Sequence, residues 1–134
     1  MRRAWLAAAM LSGIPSTVAA RWQGEPLAAS TRAAGTLLGR QSVVRGAVAH
    51  GLISAWWTWA VWRLVARVPR VPASVAGPVA GLAIAGVDLG IVGRRYPAIR
   101  ALPVWPQLAD HVVFGTIVAV SARRSASRPA APRW

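Results

Sequence analysis

Sparsely charged, largely apolar stretches alternate along this chain with short arginine-bearing ones. Four of them approach the length of about 20 residues that a helix needs to cross a hydrocarbon core. They lie at residues 4–20, 43–66, 71–93 and 106–122. The pattern predicts an all-α chain, an integral membrane four-helix bundle forming a single transmembrane helical domain over residues 1–122. The second segment carries Trp56, Trp57, Trp59 and Trp62 before Arg63 and Arg67. Tryptophan prefers the headgroup level, so this cluster reads as an anchoring belt.

The first segment has two readings. Gly13 and Pro15 bend or weaken a helix there, and the segment is short for a span. Arg2 and Arg3, an apolar run and the small residues Val18-Ala19-Ala20 also have the layout of a cleaved secretory signal. Retention as a span is the favoured reading. Residues 21–42 read as a polar connection with an interfacial turn of helix at 33–39. Pro97, Pro103 and Pro106 exclude a regular helix through 94–106, and Pro106 suits the first turn of the fourth segment. Residues 123–134, rich in arginine, proline and alanine, read as a basic disordered tail.

Composition agrees with a lipid solvent. Hydrophobic residues make up 55% of the 134 and charged ones 14%, against roughly 25% charged in soluble domains. All sixteen basic residues are arginine, and Glu25, Asp88 and Asp110 are the only acidic ones, for a net charge of +13. The arginines fall between the apolar segments instead of gathering into one patch, which speaks against nucleic acid and for a bilayer with anionic headgroups as the partner. Four spans place nine arginines on the side of the termini and seven on the other, so the C-terminus is expected in the cytoplasm. Cysteine is absent, which removes disulfide and thiolate chemistry.

Ionisable residues inside a membrane are the default place to look for function. Here they are Arg45, His50, Asp88, Asp110 and His111, joined at the segment edge by Arg94. Alternating span direction puts the start of the second segment, the end of the third and the start of the fourth in one leaflet, so these residues converge. One expectation is structural, with Asp88 and Asp110 paired to Arg45, Arg94 or Arg95. The other is a proton or cation relay through His50, Asp88, Asp110 and His111. Asp110 and His111 point about 100° apart on a helix, so only one is expected in any given cluster. No metal, cofactor or catalytic motif is expected. Gly77 with Gly81, and Gly86 with Gly90, have the four-residue spacing that lets helix backbones approach closely, within the chain or between copies.

The stretches Gly13-Ile14-Pro15-Ser16-Thr17, Glu25-Pro26-Leu27-Ala28-Ala29, Val87-Asp88-Leu89-Gly90 and Pro106-Gln107-Leu108-Ala109-Asp110-His111 resemble those of small uncharacterised multi-span membrane proteins of GC-rich actinobacteria. The resemblance implies a bacterial inner-membrane location and assigns no activity. The expected function is structural, in assembly or in modulation of a membrane partner, with a homo-oligomer through the glycine faces as one form. The alternative is a small proton- or cation-coupled carrier or channel.

Overall fold

A computed structural model describes residues 1–127. The described chain is all helix: α1 (Arg2–Leu11), α2 (Ile14–Trp22), α3 (Ala29–Ala34) with a 3₁₀ turn (Gly35–Leu38), α4 (Val43–Arg67), α5 (Ala73–Val87), α6 (Pro97–Arg100) and α7 (Val104–Ala126). A π-helical turn (Asp88–Val92) and a 3₁₀ turn (Gly93–Arg95) extend α5. The four apolar segments reappear as α1 with α2, α4, α5 with its π turn, and α7.

Three boundaries moved, each for a local reason. The third segment starts at Ala73, because Pro72 stands at the cap in an extended conformation. The fourth starts at Val104, ahead of Pro106. Proline in a first turn forfeits no intrahelical bond, since that N–H has no partner in any helix. The expected tail does not begin at Arg123: α7 continues to Ala126, and the remainder of the tail, 128–134, lies outside the described residues.

Cross-helix contacts fix the direction of each helix. Gly77 meets Thr116 and Gly81 meets Val112, so α5 and α7 are antiparallel. The short connection 68–72 turns α4 back into an antiparallel α5, with Trp57 on Asp88, and the first segment runs antiparallel to α7, with Ser16 on Asp110 and Arg2 and Arg3 beside Arg124 in one groove. The up-down-up-down bundle puts the chain start, the α4–α5 loop and the end of α7 at one end. Arg123 ties that end together by donating to the carbonyls of Val68 and Val71, at 2.6 and 2.9 Å. At the other end α3 and α6 lie against each other.

Helices α5 and α7 form the most extensive pair, and glycine makes it possible. A Cβ on Gly81 would collide with the His111 carbonyl, and one on Gly115 with the Gly77 carbonyl. Close backbone approach of this kind gives van der Waals contact without large side chains. Gly86 and Gly90 do not share the role: a Cβ on either meets nothing within 4 Å. Five residues separate Gly81 from Gly86, about 140° around a helix, so the second pair lies outside the α5–α7 contact seam.

Small residues point inward and large apolar ones outward. The buried positions are Ala4 and Ala8 in α1, Ser16 and Ala19 in α2, Gly46, Ala49, Ser54 and Thr58 in α4, and Gly77, Ala80 and Gly81 in α5. Exposed are Leu6, Met10, Val44, Val48, Leu52, Trp56, Val75, Val79 and Leu82. Larger buried groups, Val61, Val65, Ile84, Phe114 and Val118, fill a core packed between the helices. Thr58 sits in the interior 1% exposed, and its hydroxyl has no hydrogen-bond partner. Thr58→Val, nearly the same shape without the unsatisfied group, is therefore expected to stabilise the bundle by about 1 kcal/mol in detergent denaturation.

One helix among the described residues, Ala73–Arg95, is long and apolar enough to cross a membrane, with a mean hydropathy of 1.9. The other three segments fall short for visible reasons. The first is broken at Ser12–Gly13, α4 holds Arg45, His50 and four tryptophans, and α7 holds Gln107, Asp110, His111 and two arginines.

Candidate functional site

The break in the first segment sets up half of the site. Helix α1 stops at Leu11 and α2 starts at Ile14, with Pro15 in its first turn. Such a break leaves backbone carbonyls at the end of one helix and N–H groups at the start of the next without intrahelical partners. His50 on α4 serves the first set: its Nε2 donates to the Ala9 carbonyl at 2.9 Å. Asp110 on α7 serves the second. Its Oδ1 accepts the Ser16 backbone N–H at 2.9 Å, and its Oδ2 accepts the Ser16 hydroxyl. The signs suit the helix dipoles, with a donor at the negative end of α1 and a carboxylate at the positive end of α2. Trp5 adds a third tie, donating from Nε1 to the Gly51 carbonyl at 3.1 Å.

The other half is a pair. Asp88 begins the π turn that ends α5, a local widening that often marks a functional position. Its carboxylate accepts from Trp57 Nε1, 3.1 Å from both oxygens, and lies 3.4 Å from His111 Nε2. The second ring nitrogen of His111 is 2.7 Å from the Gln107 carbonyl. A carbonyl only accepts, so Nδ1 carries a hydrogen. A neutral ring would then turn the bare lone pair of Nε2 toward a carboxylate, and two acceptors repel. The contact becomes attractive when the ring takes up a second proton and meets the carboxylate as imidazolium. Asp88 and His111 thus face each other across α5 and α7.

His50, Asp88, Asp110 and His111 all line one cavity of about 180 Å³. Ser54 and Gln107 add polar atoms, Ile53, Ile84 and Phe114 add apolar wall, and residues of α3 and α6 close the end. Asp110 and His111 both belong to this cavity, against the expectation that only one would. The 100° between them separates their partners instead, Ser16 for one and Asp88 for the other. The expected pairing of the acids with arginine does not occur. Arg45 turns back to the Leu38 carbonyl at 2.5 Å, and Arg94 is exposed. Among the described residues Asp88–His111 is the only ion-pair contact.

Two residues of the site escape a sequence reading. Trp57 belongs to the tryptophan cluster, but only part of that cluster faces outward. Trp56 and Trp59 are exposed with ring centroids 5.1 Å apart, and Arg63 stacks over Trp59, whereas Trp57 turns to Asp88. Its spacing of seven from His50 puts the two on one helical face, which is a usable signal. Ser16 gives none, because its role follows from the break. Among the described residues no three histidine, cysteine or acidic side chains group as metal ligands. No protein-family model, curated protein or solved structure matches the chain.

Proposed function

We propose that the chain is an integral membrane four-helix bundle that works as a small proton-coupled carrier, with the Asp88–His111 pair as its proton-exchanging group. The membrane reading rests on the distribution of side chains. A water-soluble bundle buries its large apolar groups and shows its small and polar ones. Along α1 and over residues 43–58 and 73–82 this bundle does the reverse, as a helix bundle in lipid does, where small residues mediate packing and large ones meet acyl chains. On this reading all three long helices and the broken first segment are spans. The end with the start of α1, the α4–α5 loop and the end of α7 faces the cytoplasm of a bacterial inner membrane, as the nine-to-seven division of arginines along the sequence favours. Trp56, Trp59 and Arg63 stand at the interface.

The observation that carries the carrier reading is the shared cavity. Four titratable groups line it and no arginine neutralises them, so a proton or a small cation can enter without displacing a fixed counter-charge. The cavity lies toward the α3–α6 end. Toward the other end the interior is closed by Val61, Val65, Val118 and Ala119, each at most 3% exposed. A site open toward one side and sealed toward the other suits a carrier more than a continuous channel.

The test is proton flux into vesicles holding a pH-sensitive dye. Wild-type protein is expected to collapse an imposed pH gradient, and Asp88→Asn to slow the collapse by at least about tenfold while keeping its helical content, since amide cannot exchange the proton. Absence of flux from wild type at every pH would sink the carrier reading. A second reading would then stand, a structural or assembly role with a membrane partner. It is favoured by one observation, that His50 and Asp110 are both engaged in satisfying the broken backbone.

A further inference from the structure

A groove lined by arginine lies away from the cavity. At the opposite end of the bundle, Arg2 and Arg3 at the start of α1 and Arg124 near the end of α7 line an open groove of about 820 Å³, with Trp62 forming part of its wall. The hydroxyl-bearing residues Ser121 and Ser125 line it as well. All three guanidinium side chains are exposed, and none has a carboxylate within 4 Å among the described residues. The acids are elsewhere: Asp88 and Asp110 line the cavity and Glu25 lies in the connection after α2.

We propose that this groove binds the phosphate-bearing headgroup of an anionic phospholipid. The fold brings the start of α1 and the end of α7 together and gathers like charges around one groove, an arrangement that an anion between them relieves. Guanidinium suits the anion, because its planar fork matches two phosphate oxygens at once. Trp62 supplies the amphipathic ring expected at headgroup level, and Leu6, one turn along α1 from Arg2, is exposed as apolar surface for acyl chains. Basic pockets between span ends are the usual form of such sites. A free phosphate offers the same oxygens and lacks the chains, and so would gain nothing from the tryptophan wall.

This inference rests on the membrane reading, and one experiment separates the two. Full-length protein is first floated with neutral phosphatidylcholine vesicles; failure to float or to resist carbonate extraction rejects the membrane reading itself. Protein taken from nanodiscs of mixed phosphatidylglycerol and phosphatidylcholine is then examined by native mass spectrometry for retained lipid. Wild type is expected to retain phosphatidylglycerol about tenfold over its share. The triple variant Arg2→Gln, Arg3→Gln, Arg124→Gln is expected to lose that preference with unchanged thermal stability. The control Arg21→Gln, Arg94→Gln, Arg95→Gln, at the other end, is expected to keep it. Equal preference in the triple variant, equal loss in the control, or full displacement of phosphatidylglycerol by millimolar inorganic phosphate each overturns the lipid site.

Discussion

Gly81→Ala is expected to destabilise the bundle by about 3 kcal/mol, at the upper end of what overpacking costs. Gly86→Ala is expected to be neutral or to stabilise by up to about 1 kcal/mol, the gain in helix propensity. The contrast is large because the two glycines differ in what stands before them. The new methyl at 81 strikes the His111 carbonyl and crowds the Val112 Cα, both backbone atoms that cannot swing aside. At 86 it meets open space. Unfolding of both variants by a denaturing detergent, followed by far-ultraviolet circular dichroism, checks the pair. Equal effects would remove the glycine contact as the basis of α5–α7 packing. Crosslinking of Gly86→Ala reports separately on oligomers: a homo-oligomer formed through the outward glycine pair should weaken while the protomer keeps its stability.

Gly81 also links packing to the site. The carbonyl that it lies against belongs to His111, so the helix contact that holds α5 to α7 also sets the separation of Asp88 from His111 across the same pair. Loosening it by one methyl moves the two apart. In vesicles, Gly81→Ala should therefore lose flux at temperatures where the bundle is still helical, a loss that a purely structural glycine would not produce.

The positions of the four helical segments were legible because length and hydrophobicity along the chain report directly on them. Their convergence at one end was legible too, since alternating direction alone brings residues 43–50, 88–95 and 106–111 together. Partner identity was not. It depends on the rotation of each helix about its axis, and rotation here follows from small-residue contacts such as Gly81 on His111 and Gly46 on the Thr31 carbonyl. The charges suggested Asp110 with an arginine, whereas the break at Ser12–Gly13 offered Asp110 a backbone N–H and a hydroxyl from one residue. Arg45 found the Leu38 carbonyl nearby in sequence, which Gly39 permits by adopting a positive φ of 100°. Trp57 was hidden by its neighbours, since a cluster of four tryptophans reads as a belt even when two members, Trp57 and Trp62, pack against the core.

Removal of residues 1–20 is expected to destabilise the bundle strongly while leaving a helical remainder whose unfolding can still be followed, and residues 1–20 are expected to be present in the purified protein. A cleaved signal leaves its protein intact, but this segment contributes buried wall. Ala8 is 0% exposed, and Ala4, Ser12, Ser16 and Ala19 are buried as well. Its loss also strands polar groups: Asp110 would lose both donors, and His50 would lose the Ala9 carbonyl. An uncompensated carboxylate in the interior is strongly destabilising, on the order of 3–5 kcal/mol when its partner is removed. That asymmetry gives the decisive comparison. In the full chain Asp110→Leu should destabilise, because it leaves the first turn of α2 unsatisfied; in the chain lacking residues 1–20 the same substitution should stabilise, because it removes a charge with nothing left to pair. Opposite signs in the two backgrounds would establish that Asp110 and the first segment act as one unit. Equal signs, or a purified N-terminus at Arg21, would return that segment to the role of a signal and leave α4, α5 and α7 to form the protein.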